Sequence, residues 1–151
     1  MTQIPLVAAC LIALAASAAP AAAQSINFGD DSGEYTNDGE CDDRRFFGPG
    51  IAVDIDSDHI GRDATDCRRG FDAGTISLWN RAEAEAATSC ARIDFGDDSS
   101  DFANDLECDD PRFEGMGSAS ILLSEDRGRD ASDCSQLCEM GVLFIRDHGT
   151  Y

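Results

Sequence analysis

The sequence predicts a small disulfide-rich α+β protein made of two tandem repeats, with short helices, short strands and long acidic loops. The first observation is that the block at residues 37–43 returns at residues 104–110, with an offset of 67 residues. The second is that two cysteines of each copy keep this offset of 67: Cys41 and Cys67, then Cys108 and Cys134. The third is size, because a unit of about 50 residues buries too little apolar surface to be stable without covalent cross-links.

The first 23 residues have the pattern of a secretory signal peptide. They carry no charged side chain, and the apolar run at residues 6–16 is shorter than the roughly 20 residues that span a bilayer. Three alanines at positions 21–23 form a small-residue cleavage site. We therefore expect an exported protein, periplasmic or extracellular, with a signal peptide (1–23), repeat 1 (24–79), a linker (80–92) and repeat 2 (93–151).

The charge balance restricts the partners of the mature chain. Its 30 acidic residues face 11 basic ones, all of them arginine, and the formal net charge is −19. Such a surface repels nucleic acid and anionic lipid, whereas it attracts cations and basic proteins. The expected partners are therefore calcium ions or a basic protein, and not nucleic acid or a membrane.

The cysteines of an exported protein meet an oxidising compartment, where thiols pair. Removal of Cys10 with the signal peptide leaves six cysteines. Equivalent repeats should close equivalent loops, and the two cysteines without a counterpart should pair with each other. Closing a loop of about 25 residues is worth roughly 3 to 4 kcal/mol. The predicted bonds are Cys41–Cys67, Cys108–Cys134 and Cys90–Cys138.

Each repeat is expected to contain an acidic, glycine-rich loop, a middle segment, a short helix and a strand, in that order. The helix of repeat 1 is predicted over residues 67–72 with Gly74 just past its end, and the helix of repeat 2 is predicted to end at Gly141. Small polar residues that can cap these helices precede them. The candidate caps are Thr65, Asp66, Ser132 and Asp133.

Apolar and β-branched runs predict strands at residues 75–79 and 142–145. We expect these two equivalent strands to pair about a pseudo-twofold axis. The middle segments differ, because residues 118–125 have a helical pattern, whereas residues 51–55 alternate. Strong helix formers at residues 81–87 predict a short exposed helix in the linker.

Acidic residues recur between the repeats far more often than arginines do. The acids of repeat 1 are Asp30, Asp31, Asp38, Glu40, Asp42, Asp43, Asp63 and Asp66. Those of repeat 2 are Asp97, Asp98, Asp105, Glu107, Asp109, Asp110, Asp130 and Asp133. The recurring arginines are Arg45 with Arg112 and Arg62 with Arg129.

The predicted disulfides gather some of these acids. A bond between Cys41 and Cys67 would bring their neighbours Asp42 and Asp66 together, and two carboxylates about 5 Å apart repel by roughly 3 kcal/mol at an effective dielectric constant of 20. Calcium could supply the missing positive charge, because it takes about six to eight hard oxygen ligands from flexible loops. The alternative is that the recurring arginines neutralise the acids and the others are solvated.

Two motifs of repeat 1 resemble a known family: Asn-Asp-Gly-Glu-Cys-Asp at residues 37–42 and Asp-Ala-Thr-Asp-Cys at residues 63–67. They are similar to the Lin-12/Notch repeat, in which Asn-Gly-x-Cys-Asp and a later Asp-Gly-Gly-Asp-Cys surround one calcium ion. The resemblance implies that the asparagine, the aspartate after the cysteine and both late aspartates of each repeat bind calcium. These candidate ligands are Asn37, Asp42, Asp63, Asp66, Asn104, Asp109, Asp130 and Asp133.

Residues 104–113 also resemble an Asp-Gly-Glu-Cys-Asp-Asp-Pro-Arg-Phe module of exported bacterial proteins, with Leu106 in place of the glycine. That resemblance implies no particular activity. We expect no catalytic residues, because His59 and His148 lie outside the matched blocks and have the pattern of surface histidines. Residues 54–58 are expected to form a solvated loop. The recurring phenylalanines are expected to form the cores: Phe28, Phe46, Phe95 and Phe113.

The sequence thus predicts a secreted, non-catalytic binding or structural protein in which each repeat holds one calcium ion. Two alternatives stay open. The first is a metal-free acidic module that binds a basic partner, and the second is a small hydrolase that uses a pair of carboxylates as acid and base.

Overall fold

The computed structural model describes residues 25–148, where short helices and two-stranded ladders connect long loops. Repeat 1 contains β1 (Phe46–Phe47), β2 (Ile55–Asp56), α1 (Ala64–Ala73) and β3 (Ser77–Leu78). The linker forms α2 (Arg81–Ala87). Repeat 2 contains β4 (Phe113–Gly115), β5 (Ile121–Leu122), α3 (Ala131–Glu139) and β6 (Leu143–Ile145). This arrangement confirms the predicted small disulfide-rich α+β class.

Three disulfides cross-link the described residues, and they are the three bonds that the repeat predicts. Cys41–Cys67 and Cys108–Cys134 join equivalent positions, with Cα atoms 4.6 and 4.8 Å apart. Cys90–Cys138 ties the linker to α3 across a Cα distance of 5.9 Å. No helix in residues 25–148 is long and apolar enough to cross a membrane, and the predicted signal peptide lies outside these residues.

Each repeat has its own small core around its equivalent disulfide. In repeat 1, Phe28 stacks on Phe46 with ring centroids 5.6 Å apart, beside the Cys41–Cys67 bond. In repeat 2, Phe95 stacks on Phe113 at 5.4 Å. The core role predicted for these four phenylalanines is therefore confirmed. Because aromatic pairs and a disulfide fill each core, little apolar surface is needed to hold the loops.

The predicted pairing of the strands that follow the helices is wrong. β3 pairs antiparallel with β1, and β6 pairs antiparallel with β4, so each ladder stays within its own repeat. Both strands are also shorter than predicted. The short return from each helix places the strand next to the segment that follows the acidic loop, which satisfies its backbone locally.

The repeats meet instead through β2 and β5, which pair antiparallel with Ile55 opposite Leu122. These two residues are equivalent, because they are separated by the repeat offset of 67. The pair therefore lies on a pseudo-twofold axis that relates the repeats. We call this contact the β2–β5 seam.

The segment predicted as a helix at residues 118–125 is a strand followed by one 3-10 turn. β5 occupies its centre, and the turn at Ser124–Asp126 follows. Leu122 is fully buried, whereas Ile121 is about half exposed. This alternation has a period of two, and a short apolar run does not distinguish it from a helix. In contrast, the predicted helix in the linker is confirmed as α2, with Asn80 as its cap.

Both long helices begin earlier than predicted, because the capping side chains come from another loop. The residues at the N-caps, Asp63 and Asp130, make no capping hydrogen bond with their side chains. Instead, Asp31 accepts hydrogen bonds from the backbone amide and the hydroxyl of Thr65, at 2.8 and 2.6 Å. Asp98 accepts the equivalent bonds from Ser132 at 2.7 and 2.6 Å. The cap predicted at the helix start is thus supplied by distant aspartates, which leaves Asp63 and Asp130 available for the acidic loops.

A buried cluster of charged residues lies beside the β2–β5 seam. Arg44 of repeat 1 donates to both carboxylate oxygens of Glu114 at 3.0 and 3.2 Å and to the carbonyl of Ala119 at 2.9 Å. Arg146 donates to Glu114 at 2.7 Å and to the carbonyl of Arg44 at 2.8 Å. Burial lowers the pKa of Arg146 to about 10. One glutamate thus joins two arginines from different repeats.

Candidate metal centres

The acidic loop of each repeat turns back on its own helix through backbone in the left-handed region. Asn37 and Asn104 have φ values of 64° and 70° there, and asparagine tolerates this region better than most residues. At the next turn, Gly39 of repeat 1 is replaced by Leu106, whose φ is 81°. A Cβ atom at Gly39 would meet nothing within 4 Å, so the leucine has room and its cost is conformational.

The loops are anchored by the aspartates of the helices. The amides of Gly39 and Leu106 donate to Asp66 and Asp133 at 3.2 and 3.1 Å. The amide of Asp42 donates to Asp63 at 2.9 Å, and the equivalent bond in repeat 2 is 2.8 Å. Together with the disulfide, these bonds tether the acidic loop of each repeat to two aspartates of its helix, so three aspartates lie around one loop. We call them site 1 (Asp42, Asp63 and Asp66) and site 2 (Asp109, Asp130 and Asp133).

Each site contains buried carboxylate oxygens that have no hydrogen-bond partner in the described part of the chain. In site 1 they are Oδ2 of Asp42 and Oδ1 of Asp63, and in site 2 they are Oδ2 of Asp109 and Oδ1 of Asp130. These four residues are between 0 and 7 % exposed. Buried polar atoms are almost always paired, so two orphaned oxygens at equivalent places in both repeats require an explanation.

The pKa values of these aspartates reflect their burial and their mutual repulsion. Burial, and then the charges of Asp105 and Asp130, raise the pKa of Asp109 to about 7. Burial and then the charge of Asp38 raise the pKa of Asp42 to about 6. The pKa values of Asp63 and Asp130 are raised by burial as well, the latter to about 6. Buried carboxylates that repel one another release their protons when a cation binds, because the cation stabilises their charged form.

The recurring arginines do not neutralise these sites. Arg45 binds the other aspartate of its loop, Asp43, with Nε at 3.0 and 2.9 Å from the two oxygens, and Arg112 binds Asp110 in the same way. Arg62 and Arg129 donate to serine hydroxyls at 3.2 and 2.8 Å. Within residues 25–148, the one ion pair that includes a residue of either site is Arg69–Asp66, at 2.6 Å.

The donors available at the sites are oxygen atoms. One carboxylate oxygen and the two sulfur atoms of the disulfide lie within 4.8 Å of one another in each repeat, in Cys41–Asp63–Cys67 and in Cys108–Asp130–Cys134. These sulfurs are oxidised in disulfides and are not thiolates, so they are not metal ligands. Carboxylates and backbone carbonyls favour a hard cation such as Ca²⁺ or Mg²⁺ over zinc or copper.

Of the eight candidate ligands from the sequence, the six aspartates form two groups of three around the acidic loops, which we call triads. Asn37 and Asn104 are exposed and shape the turn with their left-handed backbone. Two positions near the sites were missed: Arg69, which pairs with Asp66, and Asp126, whose charge raises the pKa of Asp109. Comparison of residues 67 apart would have found them, because Arg69 is matched by Gln136 and Asp126 by His59.

The two histidines are half-buried and each contacts an aromatic ring. His59 makes an edge contact with Tyr35 at 5.3 Å. His148 packs on Phe47 at 4.5 Å, and its Nε2 is buried without a hydrogen bond in the described residues. The prediction of an ordinary surface histidine is therefore wrong for His148. The solvated loop expected at residues 54–58 is also partly wrong, because Ile55 is buried in β2 while Asp54 and Asp58 are exposed.

Comparison with known proteins does not assign this chain to a family. Searches against models of protein families, curated proteins and solved structures find no significant match to the chain. The class that the fold and the sites define is a small disulfide-stapled α+β module with two acidic, oxygen-rich centres.

Proposed function

We propose that this chain is an exported, non-catalytic binding protein in which each repeat holds one structural calcium ion. The observation that carries the proposal is the pair of orphaned, buried carboxylate oxygens at equivalent places in both repeats. A divalent cation would satisfy both oxygens and remove the repulsion that raises the pKa values of these residues. The three disulfides support export, because such bonds persist in oxidising compartments.

The residues that would hold the ion are those of the two triads. Asp42, Asp63 and Asp66 would bind it in repeat 1, and Asp109, Asp130 and Asp133 in repeat 2, with carbonyls of the acidic loops and water as further ligands. Asn37 and Asn104, which the Lin-12/Notch resemblance adds, would shape the loop. The bound ion would fasten the loop to its helix, in the role that weak calcium sites have in extracellular modules.

Calorimetry of the oxidised mature protein tests this proposal. Sites with dissociation constants of roughly 10⁻⁴ to 10⁻³ M would give heat in a Ca²⁺ titration, and about 10 mM Ca²⁺ would stabilise the fold by roughly 1 to 3 kcal/mol per site. The variant that combines Asp63→Asn with Asp130→Asn should lose this stabilisation. Glu83→Gln with Glu85→Gln, on the exposed side of α2, is the control with the same change in charge. Absence of heat and of any rise in Tm for the wild-type protein would refute calcium binding.

A second function, binding of a basic segment, is favoured by a groove beside the β2–β5 seam. The groove has a volume of about 520 Å³, and its apolar lining residues include Val53, Ile55 and Ile121. Its acidic lining residues are Glu34, Asp38, Glu40, Asp42, Asp54 and Asp56. No arginine lines it in the described part of the chain, so an arginine-rich segment with apolar side chains would complement it.

A peptide titration distinguishes this function from calcium binding. A synthetic peptide of alternating arginine and leucine should bind the metal-free protein and dissociate as salt is added. Replacement of Asp54 and Asp56 by asparagine should weaken this binding, because both line the groove and neither belongs to a triad. Equal binding by this variant would exclude the groove.

A small carboxylate hydrolase is supported less well. Acid and base roles require two accessible carboxyls with separated pKa values. Among the acids that line the groove, Asp42 has a pKa raised by burial, yet it is only 5 % exposed. Its orphaned oxygen is better placed to bind an ion inside the fold than to reach a substrate.

A further inference from the structure

The two sites differ at two positions that the repeat offset relates. His59, in the 3-10 turn after β2, is matched by Asp126 in the turn after β5. Arg69, in α1, is matched by Gln136 in α3. In both cases repeat 2 has the more negative residue, so the two triads lie in different electrostatic surroundings.

Asp126 is a buried acid that precedes Asp130 of site 2 by one turn of the chain. It is 5 % exposed, and its Oδ1 accepts a hydrogen bond from the hydroxyl of Ser100 at 2.6 Å. Its carbonyl accepts a hydrogen bond from the amide of Arg129, the residue before Asp130, at 3.0 Å. In repeat 1 the carbonyl of His59 accepts the equivalent bond from Arg62, the residue before Asp63, at 3.0 Å. Even an uncharged histidine there would remove one carboxylate from the surroundings of site 1.

The second difference concerns the third aspartate of each triad. In site 1, Asp66 is paired with Arg69, whose Nη1 lies 2.6 Å from Oδ1 of Asp66. In site 2, no cation lies within ion-pair distance of Asp133 among the described residues, because a glutamine occupies the position of the arginine. A cation that binds site 1 must compete with a guanidinium, whereas one that binds site 2 does not.

We propose that the two repeats are unequal calcium sites, in which repeat 2 binds first and tightly because Asp126 supplies an additional carboxylate and Asp133 is unpaired by arginine. Repeat 1 is the weak site because His59 and Arg69 stand at the equivalent positions. This proposal rests on the proposed calcium function and adds to it the residues that set affinity. Calcium affinity depends on the number of charged groups around the ion.

The expected size of the effect follows from Coulomb's law. Even at the dielectric constant of water, a carboxylate about 6 Å from a divalent ion changes the affinity by about tenfold. At low ionic strength we therefore expect site 2 to bind Ca²⁺ at least about tenfold more tightly than site 1. Wild-type protein should then show two separate binding steps in a calorimetric titration.

Variants that disable one site allow each affinity to be measured alone. Asp42→Asn with Asp63→Asn leaves site 2, and Asp109→Asn with Asp130→Asn leaves site 1. When site 2 alone is intact, Asp126→Asn should weaken Ca²⁺ binding by about tenfold, because it removes the charge and keeps an acceptor for Ser100. Glu125→Gln removes the same charge at the exposed neighbouring position and is the matched control.

The converse substitutions should strengthen site 1. When site 1 alone is intact, His59→Asp and Arg69→Gln should each tighten Ca²⁺ binding by roughly tenfold. Equal affinities of the two isolated sites, or no change with Asp126→Asn, would overturn this inference and leave the calcium function intact. Absence of Ca²⁺ binding at both sites of the wild-type protein would refute the proposed function itself.

Discussion

The carboxylates at the centre of each triad make the metal-free fold depend on pH in an unusual direction. A carboxyl whose pKa is higher in the folded state binds its proton more tightly there than in the unfolded chain. Its contribution to the free energy of unfolding is therefore lost as the pH rises from the ordinary value of 3.8 through the folded value, about 6 for Asp42 and Asp130 and about 7 for Asp109. Most acidic residues that are paired in a folded protein have the opposite effect.

We therefore predict that the metal-free protein is less stable at pH about 8 than at pH about 4.5, by roughly 3 kcal/mol or more. The measurement is urea denaturation at both pH values in the presence of a chelator. Saturating Ca²⁺ should abolish the difference at the higher pH, because the ion binds the deprotonated carboxylates.

Other aspartates set the lower limit of this window. Hydrogen bonds from serine or threonine lower the pKa values of Asp30, Asp31, Asp97 and Asp98, so the stability they contribute is lost as the pH falls below their ordinary value. The stability of the metal-free protein should therefore pass through a maximum on the acid side of neutrality. If the free energy of unfolding rose steadily from pH about 4.5 to 8 in the chelator, the burial of Asp42, Asp109 and Asp130 would be contradicted.

At the level of elements, the two main helices are positioned by aspartates that lie 34 residues earlier in the chain. Asp98 binds both the amide and the hydroxyl of Ser132 in the first turn of α3. This contact fixes the start of the helix that carries Asp130 at its N-cap and Asp133 in its first turn. The residue that caps α3 therefore also fixes the positions of two aspartates of site 2.

We predict that Asp98→Ala destabilises the protein by about 1 to 2 kcal/mol, which is the usual cost of losing a side-chain cap. Chemical denaturation of the oxidised protein measures this loss. Asp101→Ala, at an exposed position in the following turn, should change the stability by less than about 0.5 kcal/mol. If both variants were equally stable, the contact between Asp98 and Ser132 would not hold the helix.

Parts of this architecture could be predicted from the sequence because they repeat. The offset of 67 residues was sufficient for the disulfides, since equivalent cysteines must close equivalent loops. The helix in the linker follows from its composition, because a run of strong helix formers is a local signal. The resemblance to the Lin-12/Notch repeat indicates the six aspartates of the triads as ligands, and their role in binding an ion stays a prediction.

Other parts depend on contacts that no local pattern encodes. The apolar run of Ile121, Leu122 and Leu123 predicts a helix, whereas the strand geometry of β5 follows from its pairing with β2. The sequence predicts caps at the helix start, whereas the structure uses Asp31 and Asp98 from distant loops. The orphaned oxygens depend on burial, which the acidic composition gave no reason to expect.

At the scale of the whole molecule, the β2–β5 ladder and a buried charge cluster join the two repeats in the part of the chain that the structure describes. Glu114 neutralises Arg44 and Arg146, which are 8 and 4 % exposed. Breaking such a cluster from one side costs much more than its net contribution, because buried charges are left without a partner.

We predict that Glu114→Gln lowers the free energy of unfolding by about 3 kcal/mol. Calorimetry of the variant should also show a broader transition, because the two repeats then unfold with less coupling. Glu139→Gln at the exposed end of α3 removes the same charge away from the seam and should leave the transition unchanged. A sharp transition at the wild-type temperature for Glu114→Gln would show that the cluster does not join the repeats.

The self-equivalent pairing of Ile55 with Leu122 has a consequence for how the two-repeat chain arose. A ladder whose central pair is a residue and its own counterpart is the contact that two identical subunits make in a symmetric homodimer. The charge cluster at the seam breaks this symmetry. The counterparts of Arg44, Glu114 and Arg146 are Pro111, Phe47 and Trp79, so identical subunits could not build it twice. In these terms the chain has the pseudosymmetry of a homodimer within one polypeptide, and asymmetric side chains at its axis hold the two halves together.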